Sequence, residues 1–335
     1  MAESVGIDLG TSNVRVCVRG KGIVLRTPSV LARKKNTGEI IAYGMKAREM
    51  YGKTPASIQV IRPIEGGVVA DGDMAATLLS YLFRKIGVIS MFSRPNVLVT
   101  VPSGVTAVER RAVEDAAFDA GARSVTLLDS SVAAAVGAAL PVAGPRGCMI
   151  ADIGGGTTEA SVLSLGGVVS SSVLRKGGDD LDEAIVSKLA SDAGILIGAS
   201  AAERLKLRVG AAVPGLRRES QTVTGRATGT GLATSADISS DRIAEATAEA
   251  VYDIAMGIKS ALGNAPPELA GDVMSRGVVL SGGTSLLPGI GQVIGNTCGV
   301  RVFFVKSPLD AAATGLCRIL EEPEKFRKLF RTGKN

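Results

Sequence analysis

The amino-acid sequence predicts a two-lobed α/β protein, and three observations carry that reading. Apolar runs of strand length alternate along the chain with amphipathic runs of helical length. A short pattern, Asp-Leu-Gly or Asp-Ile-Gly followed by hydroxyl residues, closes a strand and opens a hairpin once in each half. The length of 335 residues, 46% hydrophobic and 21% charged, suffices for two lobes of ordinary domain size.

Taken in order, residues 4–9 and 14–19 alternate as strands around the turn Gly10-Thr11-Ser12-Asn13. Residues 73–86 carry helical periodicity, 97–101 form a β-branched strand, and 108–120 read as a second helix. Residues 125–128 then read as a strand and 132–140 as a helix. The pattern of 6–13, GIDLGTSN, returns at 152–159 as DIGGGTTE, again leading into an apolar strand over 160–163. Two similar lobes facing one another across a cleft follow from that echo. Between 213 and 237, Pro214 and Gly215, Gly225, Gly229 and Gly231 interrupt Thr-rich runs anchored by Val223 and Leu232, which predicts a small antiparallel insertion.

Composition excludes several chemistries. With no His and no Trp, the chain has no Ser-His-Asp triad, no Cys-His dyad and no His-ligated zinc. Acid-base work falls to carboxylates, Lys or hydroxyls placed around a bound cofactor or metal. Cys17, Cys148, Cys298 and Cys317 show no C-x-x-C spacing, the pattern of free thiols in a reducing compartment, and the first residues carry no export signal. The expected location is therefore cytoplasmic. Residues 125–143 are the most apolar long window, but Asp129, Ser130, Ser131 and Pro141 interrupt it, so a buried strand-helix unit is expected there rather than a membrane span. A net charge of +6 with seven Phe and four Tyr, and no basic-aromatic interleaving, argues against nucleic acid as a partner.

Three glycine loops carry the candidate chemistry. After Asp8, the turn at Gly10, Thr11 and Ser12 aims backbone N–H groups one way, suited to phosphate oxygens, while Asp8 can hold magnesium through water. A plain glycine hairpin accounts for that copy equally well. Gly154, Gly155 and Gly156 leave a strand end without side chains, which calls for close backbone approach, with Asp152 before and Thr157 and Thr158 after. Two such loops together make a phosphate clamp with Asp8 and Asp152 opposed across a metal. The third, Gly282, Gly283, Thr284 and Ser285, offers either bare backbone for a flat base or a strand-to-helix turn that needs glycine. Glu203 and Lys206 stand three apart on a predicted helix, either presenting acceptor and donor to a ligand from one face or forming a solvated ion pair.

These loops, with residues 21–25, Pro28-Ser29-Val30, Arg62-Pro63, 108–112, 178–185, 203–206 and 266–269, make the chain similar to the MreB/Mbl family of bacterial actin homologues over residues 4–320. The resemblance implies an actin-like, duplicated ribonuclease-H-like fold closing on ATP and Mg2+. Divided on that pattern, 1–32, 63–143 and 310–335 form the first lobe with 33–62 as its small subdomain. Residues 144–181 and 240–309 form the second lobe with 182–239 as its small subdomain. It also implies that Thr11, Ser12, Asn13 and Gly154 to Thr157 hold phosphates, Glu203 and Lys206 the ribose-adenine side, and Gly282 to Ser285 the base. Asp152, Thr157 and Thr158 are then the catalytic candidates.

The chain departs from the family where a Glu-Glu-Pro is usual, with Asp129-Ser130-Ser131 in its place. Ser130 stands at the position of the water-orienting Glu, and Asp129 on a strand should face the other way. A serine is no carboxylate base, so slow or lost hydrolysis with nucleotide binding retained is expected. Thr284 places a side chain where the base would lie.

Met91 and Phe92, beside Arg94, Arg84 and Lys85, suit a lipid headgroup boundary or fold back on the lobe; in the family a hydrophobic loop here touches membrane. Phe326, Leu329 and Phe330 form one face of a C-terminal helix expected to dock on its own lobe. The resemblance thus implies a self-assembling, double-protofilament polymer at the inner membrane, organising cell shape with envelope and wall-synthesis proteins. The alternatives are a non-hydrolysing accessory paralogue acting with another family member, and an actin-like division or pilus-assembly ATPase.

Overall fold

Two five-stranded sheets of one topology organise the chain in the computed structural model, which describes residues 3–90 and 93–329. The first runs Gly22–Pro28, Asn13–Val18, Ser4–Leu9, Asn96–Val101, Ser124–Asp129, and the second Gly167–Leu174, Thr158–Ser164, Cys148–Ile153, Val278–Ser281, Val302–Phe304. In each, an antiparallel three-strand meander gives way at its first strand to two parallel strands. The echo read from the sequence is thus a duplication of topology.

The local chemistry explains the elements. Asn96–Val101, largely apolar on both faces, lies buried in the interior of the sheet between two parallel neighbours, where such strands are covered on both sides. The helix Gly72–Lys85 starts where the Asp71 side chain accepts from Met74 N at 3.1 Å, and Ala107–Asp119 starts at a Thr106/Glu109 capping box. In Ser240–Gly263, Ile243, Thr247, Val251, Ile254, Ile258 and Ala261 recur every three to four residues and are buried, sealing the second sheet. The predicted insertion is the hairpin Ser220–Ala227 and Ala233–Ser239, joined by Ile195–Leu196. A second small sheet, Ile40–Tyr43, Leu31–Lys34 and Ile58–Ile61, stands on the first lobe with the helix Met45–Glu49.

The helix Ser130–Gly137 follows the first sheet in sequence, precedes the second, and crosses the helix Ala311–Glu321. The backbones nearly touch: a Cβ on Gly137 would lie 1.8 Å from Ala311 O, and one on Gly315 1.8 Å from Ala133 O. Around this crossing, Leu98 of the first sheet and Ile150 and Leu163 of the second share one buried cluster with Ala133 to Val136 and Leu316.

All four cysteines are free thiols, three of them buried. Among the described residues no helix is long and apolar enough to cross a membrane. Met91, Phe92 and Phe330 lie outside the described residues. The expected C-terminal helix is instead a turn ending in one 3-10 turn at 327–329, with Leu329 buried and Phe326 packed beside it on the inter-sheet cluster.

Candidate functional site

The hairpin ends of both sheets face one cleft of about 530 Å³, lined by Asp8 to Asn13, Asp152, Gly154, Gly155, Thr157 and Gly282 to Thr284. A larger depression of about 650 Å³ beside Gly291, Gly295 and Phe304 is an open surface that includes none of these loop residues. In the cleft, Asp8 pairs with Arg15 across its hairpin, and Asp152 with Glu159 across the other. The duplicated topology thus places one carboxylate at the equivalent strand end of each sheet.

Asp8 accepts from Thr100 Oγ1 at 3.2 Å and meets Arg15 Nη1 at 3.4 Å; burial pushes its carboxyl above the usual range despite that guanidinium. Asp152 accepts from Ser281 Oγ at 2.5 Å, and burial, with Asp8 nearby as a like charge, pushes it up to about 6. Two buried carboxylates, each raised mainly by burial and with Asp8 adding like-charge repulsion at Asp152, suit a shared cation. Among the described residues no three His, Cys, Asp or Glu side chains form a metal cage. That donor set fits magnesium, which is commonly held by one or two carboxylates with phosphate oxygens and water.

The glycines have a use that the sequence reading did not anticipate, because the first two loops pack on each other. A Cβ on Gly155 would lie 2.0 Å from Ser12 Oγ, and one on Gly156 2.9 Å from Thr11 Oγ1. Ser29 braces the first loop, donating from Oγ to Gly10 O at 2.5 Å and from N to Ser12 O at 3.1 Å. Thr284 Oγ1 donates to Gly154 O at 2.7 Å, so its side chain ties the third loop to the second rather than occupying a base site. Gly282 takes φ +83°, where only glycine is unstrained, with its α-carbon against Ile153 backbone.

Four expected residues do not line the cleft. Thr158 lies opposite Ile153, on the other strand face from Glu159, and donates to Lys176 O at 2.9 Å. Ser285 is buried and donates to Gly282 O at 2.7 Å. Gly156 is spent on contact with Thr11 and Gly66. Asp129 turns to Arg110 at 3.5 Å, with burial raising its carboxyl, whereas Ser130 lines the cleft.

Glu203 and Lys206 both line the cleft, but each already has a protein partner. Glu203 takes Arg48 Nη2 on both oxygens at 2.5 and 2.6 Å. Lys206 Nζ meets Asp182 Oδ1 at 2.8 Å and donates to Gly178 O at 2.5 Å. Burial outweighs that ammonium at Asp182 and pushes its carboxyl up to about 7. Beside the first pair, Arg62 Nη2 meets Asp179 Oδ2 at 2.5 Å. Both arginines come from the first lobe's small sheet or its flank, and both carboxylates from helices of the second lobe.

Arg15, Arg48, Asp182 and Glu159 were not singled out from the sequence. Arg15 and Glu159 were reachable through hairpin register, being the residues opposite Asp8 and Asp152; Arg48 and Asp182 carry no local signal. Glu159 is 2% exposed, and its Oε1 accepts from Ser103 Oγ at 2.5 Å and Ser131 N at 3.2 Å. Burial pushes its carboxyl up to about 7.

Comparison with known proteins agrees with this geometry. The family described as MreB/Mbl protein matches residues 2–328. The cell shape-determining protein Mbl of Bacillus cereus is 40% identical over 327 residues, covering 98% of each chain. The cell shape-determining protein MreB of Escherichia coli is 42% identical over 325 residues, covering 96% of this chain and 94% of that one. The crystal structure of MreB5 of Spiroplasma citri bound to AMPPNP matches with a TM-score of 0.92 at 33% identity, covering 97% of this chain and 98% of that one. With the family match running nearly end to end over a duplicated two-sheet fold, the chain belongs to the MreB/Mbl family of actin-like proteins.

Proposed function

We propose that the protein binds ATP with Mg2+ in this cleft and assembles with copies of itself into filaments on the cytoplasmic face of the membrane, as a cytoskeletal determinant of cell shape. The observation that carries the reading is the facing of the two carboxylate loops: Asp8 and Asp152, buried and within each other's electrostatic reach, across one glycine-walled cleft. In this reading Thr11, Ser12, Asn13, Gly154, Gly155 and Thr157 hold the phosphates, and Asp8 and Asp152 hold the metal with water. Glu203 and Lys206 meet the ribose side and Gly282 to Thr284 the base. The AMPPNP-bound relative supports a nucleotide as ligand. The lobe and subdomain division given above, and envelope and wall-synthesis proteins as partners, belong to the same proposal. Magnesium supplies charge neutralisation between the phosphates and the two carboxylates.

Ser130 in the cleft, where the family has Glu, favours a second reading in which turnover is slow and the protein acts as an accessory polymer beside a paralogue.

Electron microscopy of the purified protein with Mg-ATP, with and without anionic lipid vesicles, tests both readings. Paired protofilaments lying on lipid, lost in Asp152→Ala and detached from lipid in Met91→Ser with Phe92→Ser, are expected. Monomers under every condition refute homopolymer assembly and leave the accessory reading, and phosphate release as fast as that of relatives carrying Glu refutes slow turnover.

A further inference from the structure

Ser130 offers the cleft only a hydroxyl, and the fold brings a carboxylate, Glu159, to line the same cleft. Glu159 lies in the strand Thr158–Ser164, directly opposite Asp152, and lines the cleft together with Ser130 and Thr157. A carboxylate that is 2% exposed is costly to bury. Helix capping explains part of that burial: Ser131 N, in the first turn of the helix Ser130–Gly137, donates to Glu159 Oε1, as does Ser103 Oγ. Both of these hydrogen bonds fall on one oxygen. The Ser131 side chain also supports the carboxyl, and the two bonds at Oε1 place Oε2 as the oxygen to meet a hydrogen-bond donor entering the cleft.

We infer that Glu159 is the catalytic carboxylate of the nucleotide reaction in this chain, accepting a hydrogen bond from the attacking water at Oε2. The inference rests on the ATP-binding reading above. In the step, the water oxygen forms a bond to the terminal phosphorus while its proton passes to Glu159 Oε2. The bond from that phosphorus to the bridging oxygen breaks with its electron pair, leaving a nucleoside diphosphate and inorganic phosphate. The two hydrogen bonds at Oε1 fix the carboxylate plane and at the same time draw charge from it. An anchored, charge-depleted base gives turnover that is slow but not absent.

Glu159→Gln separates capping from proton acceptance, because the amide oxygen can still accept from Ser103 and Ser131 while the amide cannot take a proton. The readouts are equilibrium binding of a fluorescent ATP analogue and single-turnover phosphate release from Mg-ATP, on the full chain. E159Q is expected to bind nucleotide within about threefold of the unmodified protein and to release phosphate about 100-fold more slowly. In a Ser130→Glu background the same substitution should cost less than about threefold, because a second carboxylate then lines the cleft. Release by E159Q within twofold of normal, or an undiminished loss in the S130E background, overturns the inference. If E159Q does not fold, Ser130→Glu alone decides: release rising about tenfold or more supports a cleft short of carboxylate capacity, and unchanged release overturns it. Binding with no phosphate release at all by the unmodified protein refutes the role of Glu159 alone, while no binding refutes the ATP reading beneath it.

Discussion

At the scale of single residues, the cleft is a concentration of carboxyl groups held above their ordinary proton affinity. Asp152 is pushed up to about 6, and Glu159 and Asp182 to about 7, in each case mainly by burial. Each binds its proton more tightly folded than unfolded, so the stability they confer is complete below the ordinary carboxylate range near 4 and is lost as pH rises through 6 to 7. The Tm of the ligand-free protein should therefore fall between pH 5 and pH 8, and Asp152→Asn or Glu159→Gln should flatten the fall. A Tm that rises across that window contradicts burial as the ruling cause. Mg-ATP should stabilise the protein more at pH 8 than at pH 5, since Asp152, pushed up to about 6, is ionised at the higher pH. Proton affinity also marks where sequence reading stopped: Asp8 and Asp152 stand beside glycine turns and are visible locally. Glu159 becomes significant only once hairpin register sets it opposite Asp152 and the chain brings Ser103 and Ser131 to it across 56 and 28 residues of separation.

At the scale of elements, the hairpins and capped helices were legible because their causes are local. Strand alternation, the Asp71 cap and the Thr106/Glu109 box each lie within a few residues. The glycine run 154–156 announced close approach, but not to what: its nearest neighbours are Ser12 and Thr11 of the matching loop. Thr158 was misplaced because pattern alone does not say which of two adjacent hydroxyls faces inward; pairing with Ile153 decides it. Loop-on-loop packing has a measurable consequence. In Gly155→Ala the added methyl would meet Ser12 Oγ at 2.0 Å and force the two glycine loops apart. The global fold should survive, since the clash is with a small side chain at the cleft, while nucleotide affinity falls about tenfold, or ~1.4 kcal/mol. Unchanged affinity by titration with a fluorescent nucleotide would show that the two loops do not set the phosphate geometry.

At the scale of the whole molecule, the contacts between the lobes include the loops at the base of the cleft, the buried cluster that joins the two sheets, the Arg175–Glu109 pair, and the ion pairs Arg48–Glu203 and Arg62–Asp179 at the small-sheet side. The last two are about one-third exposed, which places each at ~0.2–1 kcal/mol. Removing both, as Arg48→Ala with Arg62→Ala, should raise the nucleotide dissociation rate between twofold and about thirtyfold. The gap from the unmodified protein should narrow in 1 M salt, where the Debye length is about 3 Å. Equal dissociation rates in low salt would mean that these pairs do not latch the cleft. Neither latch pair was visible in sequence, since Arg48 and Glu203 are 155 residues apart and Arg62 and Asp179 117. The crossing of Ser130–Gly137 over Ala311–Glu321 works differently. Where Gly137 and Gly315 meet backbone the helices approach closely, and Val132, Val136, Leu316 and Ile319 around them hold the crossing by packing. With the crossing packed firm, opening of the cleft is opposed at its far side by the ion pairs and by whatever fills the cleft, which makes a bound ligand a mechanical part of the molecule.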